Sequence, residues 1–272
     1  MILQKELKFA TMLAREAGDI VMQYYDQDVS VELKKENEPV TLADKASNEY
    51  ITGQLRELFP EDGILAEESK DNLARLYNHR VWVVDPMDGT REFIDKIGQF
   101  AVMIGLVQDR QPVLGVVYQP TTDKLYYAVK GQGAFVTRNG TNEALRISNT
   151  AAIEDMRLVI SRSHRAELVD KMKDALHIEK EVSSGSVGLK VGLMLENKSD
   201  LYLHPNSKTK EWDTCAPEII LHEAGGKITD CWGEPLQYNK ENVYNDKGFV
   251  ASNGHAHSSI IEKIQPFLGE LT

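Results

Sequence analysis

Apolar residues recur along this chain with two different periods, and the changes of period outline its elements. Leu3, Leu7, Ala10, Ala14, Ala17, Val21 and Tyr24 fall three or four apart, the spacing that lines one face of a helix. Val29, Val31 and Leu33 alternate with polar residues and predict a strand, followed by a turn at Glu36-Asn37-Glu38-Pro39. Ala43, Ala46, Tyr50, Ile51, Leu55 and Leu58 predict a second helix, stopped by Pro60. Ile64-Leu65-Ala66 is a short apolar approach to Glu67-Glu68, and Trp82-Val83-Val84 reads as a buried strand. That strand ends in Asp85-Pro86-Met87-Asp88-Gly89-Thr90, where a helix could start. Further strands are expected at 101–107, 114–118, 125–129, 134–136 and 145–147. Turn residues separate them at Pro120, Gly131-Gln132-Gly133 and Asn139-Gly140, the last a hairpin signal. The first half is therefore expected to be two helices on a largely antiparallel sheet.

From about Thr150 strands alternate with helices. Strands are expected at 158–161, 178–182, 201–203, 227–229 and 249–251. Helices are expected at 166–176, from a small-residue loop Ser183-Ser184-Gly185-Ser186 to near Glu196, at 214–224 and around 260–268. This rhythm predicts an α/β layer with a mixed or parallel sheet. The fold class is α+β followed by α/β, in two tightly packed domains, 1–150 and 151–272. At about 150 residues per domain, 272 residues allow that division.

Composition narrows the function classes. With 42 acidic against 31 basic residues, the formal charge of -11 argues against binding a nucleic-acid polymer through a basic face. A small phosphorylated substrate is still allowed, because metal ions and local dipoles hold phosphate inside acidic proteins. The two cysteines, Cys215 and Cys231, make neither a disulfide framework nor a zinc pattern, which fits a reducing cytosol. The N-terminus lacks the pattern of a secretory signal, and no apolar run approaches the roughly 20 residues that span a bilayer. A cytoplasmic protein without membrane insertion is expected.

Asp85 and Asp88 close a strand beside a potential helix start, and two such carboxylates repel unless a cation sits between them. Mg²⁺, which takes oxygen ligands and bridges to phosphate, is the economical answer; a turn in which both acids only cap and solvate is the alternative. Acids also stand at three other element boundaries: Asp44 in the first turn of the second helix, Glu67 with Glu68 after an apolar strand, and Asp213 just before a helix. Read singly, each has an ordinary role as helix-start charge, solvated loop or N-cap.

Read together, these segments resemble the lithium-sensitive, magnesium-dependent phosphatase superfamily that includes inositol monophosphatases, fructose-1,6-bisphosphatases and 3'(2'),5'-bisphosphate nucleotidases. Asp85-Pro86-Met87-Asp88-Gly89-Thr90 looks like its signature. Pro39-Val40-Thr41-x-x-Asp44, Leu65-Ala66-Glu67-Glu68-Ser69 and Trp212-Asp213, with Glu223-Ala224-Gly225-Gly226 following, are similar to its other blocks in order and spacing. The resemblance implies the layered αβαβα sandwich of that superfamily. It implies that Glu67, Asp85, Asp88, Asp213 and the Met87 carbonyl coordinate Mg²⁺, with Asp44 helping to hold a further ion, two or three in all. It also implies that Thr90, paired with Glu67, orients the attacking water, making Glu67, Thr90 and Asp44 the catalytic set. The N–H groups of Gly89 and Thr90 would hold the phosphate, with Gly89 leaving room for that approach.

Among such esterases, Asp88-Gly89-Thr90-Arg91-Glu92-Phe93-Ile94 with Gly98-Gln99-Phe100, and Trp212-Asp213-Thr214-Cys215-Ala216-Pro217-Glu218, look like the nucleotidase forms. Ser161-Arg162-Ser163-His164-Arg165 resembles a stretch placed near adenine. The expected substrate is an adenosine bisphosphate, 3'-phosphoadenosine 5'-phosphate, or its phosphosulfate relative, which places the chain in sulfur metabolism. Ser186 and Lys190 would provide the second anion site, His164 would meet the base, and Asp213 would also touch substrate. Some nucleotidases carry an Arg after the strand that here reads Tyr202-Leu203-His204-Pro205; this chain has only Lys208 and Lys210 nearby. Inositol monophosphatase or fructose-1,6-bisphosphatase activity, alone or in addition, is the alternative, and a non-catalytic nucleotide or metal sensor a third reading. Many relatives are dimers, so the resemblance also implies a homodimer.

Overall fold

The computed structural model describes residues 3–27, 31–33, 39–163 and 165–271. The N-terminal half runs α1 (Gln4–Tyr25), β1 (Val31–Leu33), β2 (Pro39–Thr41), α2 (Leu42–Leu58), β3 (Gly63–Ala66), β4 (Arg80–Asp88) and α3 (Thr90–Ile94). Five strands follow, β5 (Ala101–Gln108), β6 (Gln111–Gln119), β7 (Lys124–Val129), β8 (Ala134–Arg138) and β9 (Thr141–Leu145). The remainder is β10 (Arg157–Ser161), α4 (Glu167–Ala175), β11 (Lys180–Ser184), α5 (Val187–Leu195), β12 (Leu201–His204), α6 (Glu211–Glu223), β13 (Lys227–Thr229), β14 (Phe249–Ser252) and α7 (His257–Ile264). β3 to β9 form one seven-stranded sheet in sequence order, parallel at β3–β4 and antiparallel beyond. A mixed five-stranded sheet has the order β11-β10-β12-β14-β13. β1 and β2 pair as a separate antiparallel ribbon.

Strand alternation makes the layers. In β4, Trp82 and Val84 face Leu13, Ala14 and Ala17 of α1 and Ile51 and Leu55 of α2, while Val81 and Val83 face the opposite core. That opposite core is shared: Met103 and Val117 of the large sheet meet α5 and α6, which meet Val159, Tyr202 and Phe249 of the small sheet. On the far side Leu158, Leu201, Leu203 and Val250 pack on α4 and α7. Two consecutive residues therefore serve two different cores, and the order is helix, sheet, helix, sheet, helix. α6 sits so close to the large sheet that a Cβ on Gly105 would fall 2.5 Å from Cys215 Sγ, and one on Gly115 2.5 Å from the Ala216 carbonyl.

Several boundaries differ from the sequence reading. The last strand of the large sheet is 141–145 and not 145–147, because Asn139 and Gly140, at φ 46° and 76°, close a two-residue turn that pairs Arg138 with Thr141. Ser183 and Ser184 belong to β11, paired with Ile160 and Ser161, leaving only Gly185 and Ser186 as loop. α6 begins at Glu211, so Asp213 is its third residue and not its cap. The reason is partly non-local: Lys210 bridges to Tyr244, and the Asp213 carboxylate reaches back to the Lys210 N–H. The turn expected at 36–38 lies outside the described residues.

Candidate active site

β4 loses its regular register between Asp85 and Asp88, and that bulge aims both acids at the end of the sheet. Asp85 is buried and accepts the Met87 N–H at 3.0 Å. Asp213 arrives from the first turn of α6, held by the Lys210 N–H at 2.6 Å. One carboxylate oxygen from each of Asp85, Asp88 and Asp213 lies within 4.8 Å of the others. Asp85 and Asp88 on β4 and Asp213 on α6 come from two segments far apart in sequence, brought together because α6 packs across β4 to β7.

Asp44 sits beneath them at the start of α2. Thr41, the N-cap, donates both its N–H, at 2.7 Å, and its hydroxyl, at 2.6 Å, to Asp44 Oδ2. The other oxygen, Oδ1, accepts the Thr90 hydroxyl at 3.0 Å; that hydroxyl also lies 3.3 Å from the Met87 carbonyl. The resemblance implied Glu67 as a partner of Thr90; the Thr90 hydroxyl also has Asp44 and the Met87 carbonyl within hydrogen-bond distance. Glu67, half-buried after β3, hydrogen-bonds through its N–H to the Val84 carbonyl, and its charge acts on Asp85, Asp213 and Asp44. Gly89 has φ +100°, and a Cβ there would meet the Gln99 carbonyl at 2.7 Å. Glycine at this position thus answers to the backbone of the neighbouring loop as well as to any ligand.

The second half supplies the other wall. Ser186 donates its hydroxyl to Asp88 Oδ2 at 2.5 Å, and the Gly188 N–H donates to the same oxygen at 2.9 Å. Lys190 is buried, donates its ammonium to the Ser186 carbonyl at 3.0 Å and lies 5.1 Å from the centre of the Tyr202 ring. It faces Asp88, Glu92 and Asp213 by charge. Gln99 Oε1 ties this wall together, accepting from Gly185 N–H at 2.8 Å and Arg162 Nε at 2.9 Å. His164 lies outside the described residues.

The electrostatics follow from this crowding. Burial pushes the Asp85 carboxyl well above the ordinary range, and repulsion from Glu67, Asp88 and Asp213 adds to it. Asp213 is raised well above its usual value by burial and by Asp88 and Glu67. Asp88 is raised by burial, but the nearby Lys190 charge and the Ser186 and Gly188 donors oppose that rise. Burial lowers Lys190, against the pull of the same acids. Converging carboxylate oxygens, poorly solvated and mutually repelling, form a donor set suited to a hard divalent cation such as Mg²⁺. The residues present fit that ion.

Sequence reasoning missed Thr41, Gly188 and Glu92 as parts of the site. Thr41-x-x-Asp44 has the spacing of a capping box, so its pairing was readable. Glu92 is buried and accepts the Ser163 hydroxyl at 2.6 Å; nothing in its local sequence marks it for burial.

Comparison with known proteins agrees with this geometry. The model of the inositol monophosphatase family matches residues 2–267. The 3'(2'),5'-bisphosphate nucleotidase CysQ of Aggregatibacter actinomycetemcomitans is 36% identical over 244 residues, 88% of this chain and 89% of the relative. CysQ of Escherichia coli K12 is 36% identical and is covered over 96% of its length. Among solved structures, a Thermotoga maritima IMPase superposes with a TM-score of 0.84 at 26% identity, over 99% of this chain and 100% of that one. CysQ from Bacteroides thetaiotaomicron gives 0.79 at 33% identity, over 92% and 98%. With the αβαβα layers and the three-acid cluster already in place, the chain belongs to the inositol monophosphatase family.

Proposed function

We propose that this protein is a Mg²⁺-dependent phosphomonoesterase that removes the 3'(2')-phosphate of 3'-phosphoadenosine 5'-phosphate and of its phosphosulfate relative. The observation that carries the reading is the convergence of Asp85, Asp88 and Asp213, with their oxygens within 4.8 Å, at the end of β4 beside Thr90. CysQ nucleotidases that match nearly the whole chain support the choice of ester over an inositol phosphate. The segment 1–150 would carry most of the metal-binding groups, and 151–272 would carry Asp213 and the residues that select the substrate. No helix among the described residues is long and apolar enough to cross a membrane. We place the enzyme in the cytoplasm, as a homodimer.

Asp85, Asp88, Asp213, Glu67 and the Met87 carbonyl would hold the Mg²⁺ ions, with Asp44 supporting a further one. Bound there, the ions supply positive charge for the phosphoryl oxygens and lower the pKa of water. The protein's own groups do the rest. Asp44, fixed by Thr41, accepts the proton of Thr90, which leaves the hydroxyl oxygen of Thr90 free to accept from and aim a water. The N–H groups of Gly89 and Thr90 receive phosphate oxygens. Ser186 and Lys190 set the charge and position of Asp88.

Turnover of 3'-phosphoadenosine 5'-phosphate and of inositol 1-phosphate, compared at equal Mg²⁺ and with Mg²⁺ titrated, tests this reading. The nucleotide should have the higher kcat/KM, with no turnover in chelator. A higher kcat/KM for the inositol ester would overturn the substrate assignment, and turnover unaffected by chelator would overturn the metal.

A further inference from the structure

A chain of hydrogen bonds runs from Asp71 through Arg75 and Asn239 to Glu211, the first residue of α6. Arg75 stands in a 3-10 turn, Ala74–Tyr77, downstream of Glu67 and is only 3% exposed. Its Cβ packs on the first residue of β3, so that a Cβ on Gly63 would lie 3.0 Å away. All three guanidinium nitrogens are engaged. Nε and Nη2 donate to Asp71 at 3.0 and 2.8 Å, Nη1 donates to Asn239 Oδ1 at 2.8 Å, and Nη2 also reaches the Lys240 carbonyl at 2.8 Å. Asn239 Nδ2 returns a bond to the Arg75 carbonyl at 3.2 Å.

Asn239 has φ 53°, a left-handed conformation that turns successive N–H groups toward one anion. That anion is Glu211: the Asn239 N–H donates to Oε2 at 2.7 Å and the Lys240 N–H to Oε1 at 2.9 Å. Glu211 is fully buried and opens α6, and its own N–H is held by the Val243 carbonyl at 2.9 Å. Asp213 stands two residues on. Asp71, at the other end of the chain of bonds, lies four residues after Glu67.

We propose that Arg75, acting through Asn239 and Glu211, is a positioning residue for the metal site. It fixes the start of α6, and with it Asp213, against the segment 71–75 that follows Glu67. The chain of bonds joins the two halves of the sequence, which together supply the carboxylates that must share ions. A slip of α6 would move Asp213 and leave Glu67 in place. This inference rests on the Mg²⁺ reading above.

The test uses the purified full chain and the Mg²⁺ concentration that gives half-maximal thermal stabilisation, with kcat at saturating Mg²⁺ measured alongside. Arg75→Met and Glu211→Gln should raise that concentration by about tenfold or more, the usual penalty for removing a group that orients a ligand. Arg75→Lys should fall between these and wild type, and kcat at saturation should stay near wild type. Arg157→Met, which breaks a distant ion pair with Asp200, should leave the Mg²⁺ midpoint unchanged and so separates general destabilisation from positioning. Folded Arg75→Met and Glu211→Gln proteins with a wild-type midpoint would overturn the proposal. If Arg75→Met does not fold, Arg75→Lys and Asn239→Ala decide on the same readout. A wild-type protein that Mg²⁺ does not stabilise would overturn the metal reading itself and this inference with it. An unchanged midpoint in the variants alone leaves that reading intact.

Discussion

The hydroxyl of Ser186 donates to Asp88 at 2.5 Å, tying the loop before α5 to the end of β4 across the two halves of the chain. The same oxygen accepts the Leu189 N–H at 3.1 Å as the N-cap of α5, and Ser186 holds φ 55°, a conformation uncommon for a residue with a Cβ. One residue thus caps the start of a helix, anchors a carboxylate and holds its backbone in a strained region. Ser186→Ala should cost about 2 kcal/mol in urea unfolding, from the lost cap and the lost bond to a charged acceptor. Ser186→Gly should cost less, because glycine relieves the backbone, yet lose as much turnover. Equal stability losses for both variants would show that the strain is not felt.

Lys190 is the buried positive charge that faces this acidic cluster, with Asp88 its largest electrostatic partner. Removing one member of a buried charge set leaves the other uncompensated. In Mg²⁺-free buffer Lys190→Met should therefore destabilise the fold by about 3 kcal/mol. Saturating Mg²⁺ should recover part of that loss by returning positive charge to the cluster. In a double-mutant cycle, adding Asp88→Asn should recover more of it than independent effects allow. Additive losses in that cycle would rule out the charge pairing.

Asp85 presents the opposite case, a carboxylate whose removal should help the fold. Its burial and its repulsion from Glu67, Asp88 and Asp213 all oppose its charge, while Asn keeps an oxygen for the Met87 N–H. Asp85→Asn should raise stability in Mg²⁺-free buffer by about 1 to 2 kcal/mol, the gain expected when a poorly compensated buried charge is removed. It should also abolish stabilisation by Mg²⁺ and lower kcat by several orders of magnitude. Calorimetry with and without Mg²⁺, next to a phosphate-release assay, checks all three. Wild-type turnover would remove Asp85 from the metal site.

The elements were legible because hydrophobic pattern reports burial, and the central strands β4, β5, β6 and β14 are buried along nearly their whole length. The acids of Asp85 through Thr90 were legible for a related reason: a buried strand that ends in two carboxylates is locally inconsistent unless something compensates them. What escaped was non-local. Lys210-Glu211-Trp212 carries no apolar period, and α6 starts there only because the segment 239–245 docks on it. Lys190 lies on an apolar helix, and its burial depends on acids from β4, α3 and α6. The bond from Thr90 to Asp44 depended on which carboxylate α2 delivers, and Thr41 had already oriented Asp44 for that bond.

His257 gives the fold a pH dependence at a distance from the carboxylates. Its ring is buried at the start of α7, between the hydroxyls of Thr229, 2.8 Å from Nε2, and Ser252, 2.7 Å from Nδ1. Burial, with the charges of Lys227 and His222 adding to it, lowers the imidazole to about 4, against an ordinary value of 6.5. As pH falls the unfolded chain takes up the proton first, so the unfolded state gains stability relative to the native one. The contribution of His257 is therefore complete above 6.5, declines as pH falls toward 4 and changes no further below that. The limiting slope is about 1.4 kcal/mol per pH unit, and the whole loss is at most about 3.5 kcal/mol. His257→Gln has no proton to take up and can still bond to one of the two hydroxyls. Urea unfolding at pH 7.5, 6 and 5 should give a clearly shallower pH dependence for this variant than for wild type. Parallel curves would mean that His257 is protonated in the native state as readily as in the unfolded chain.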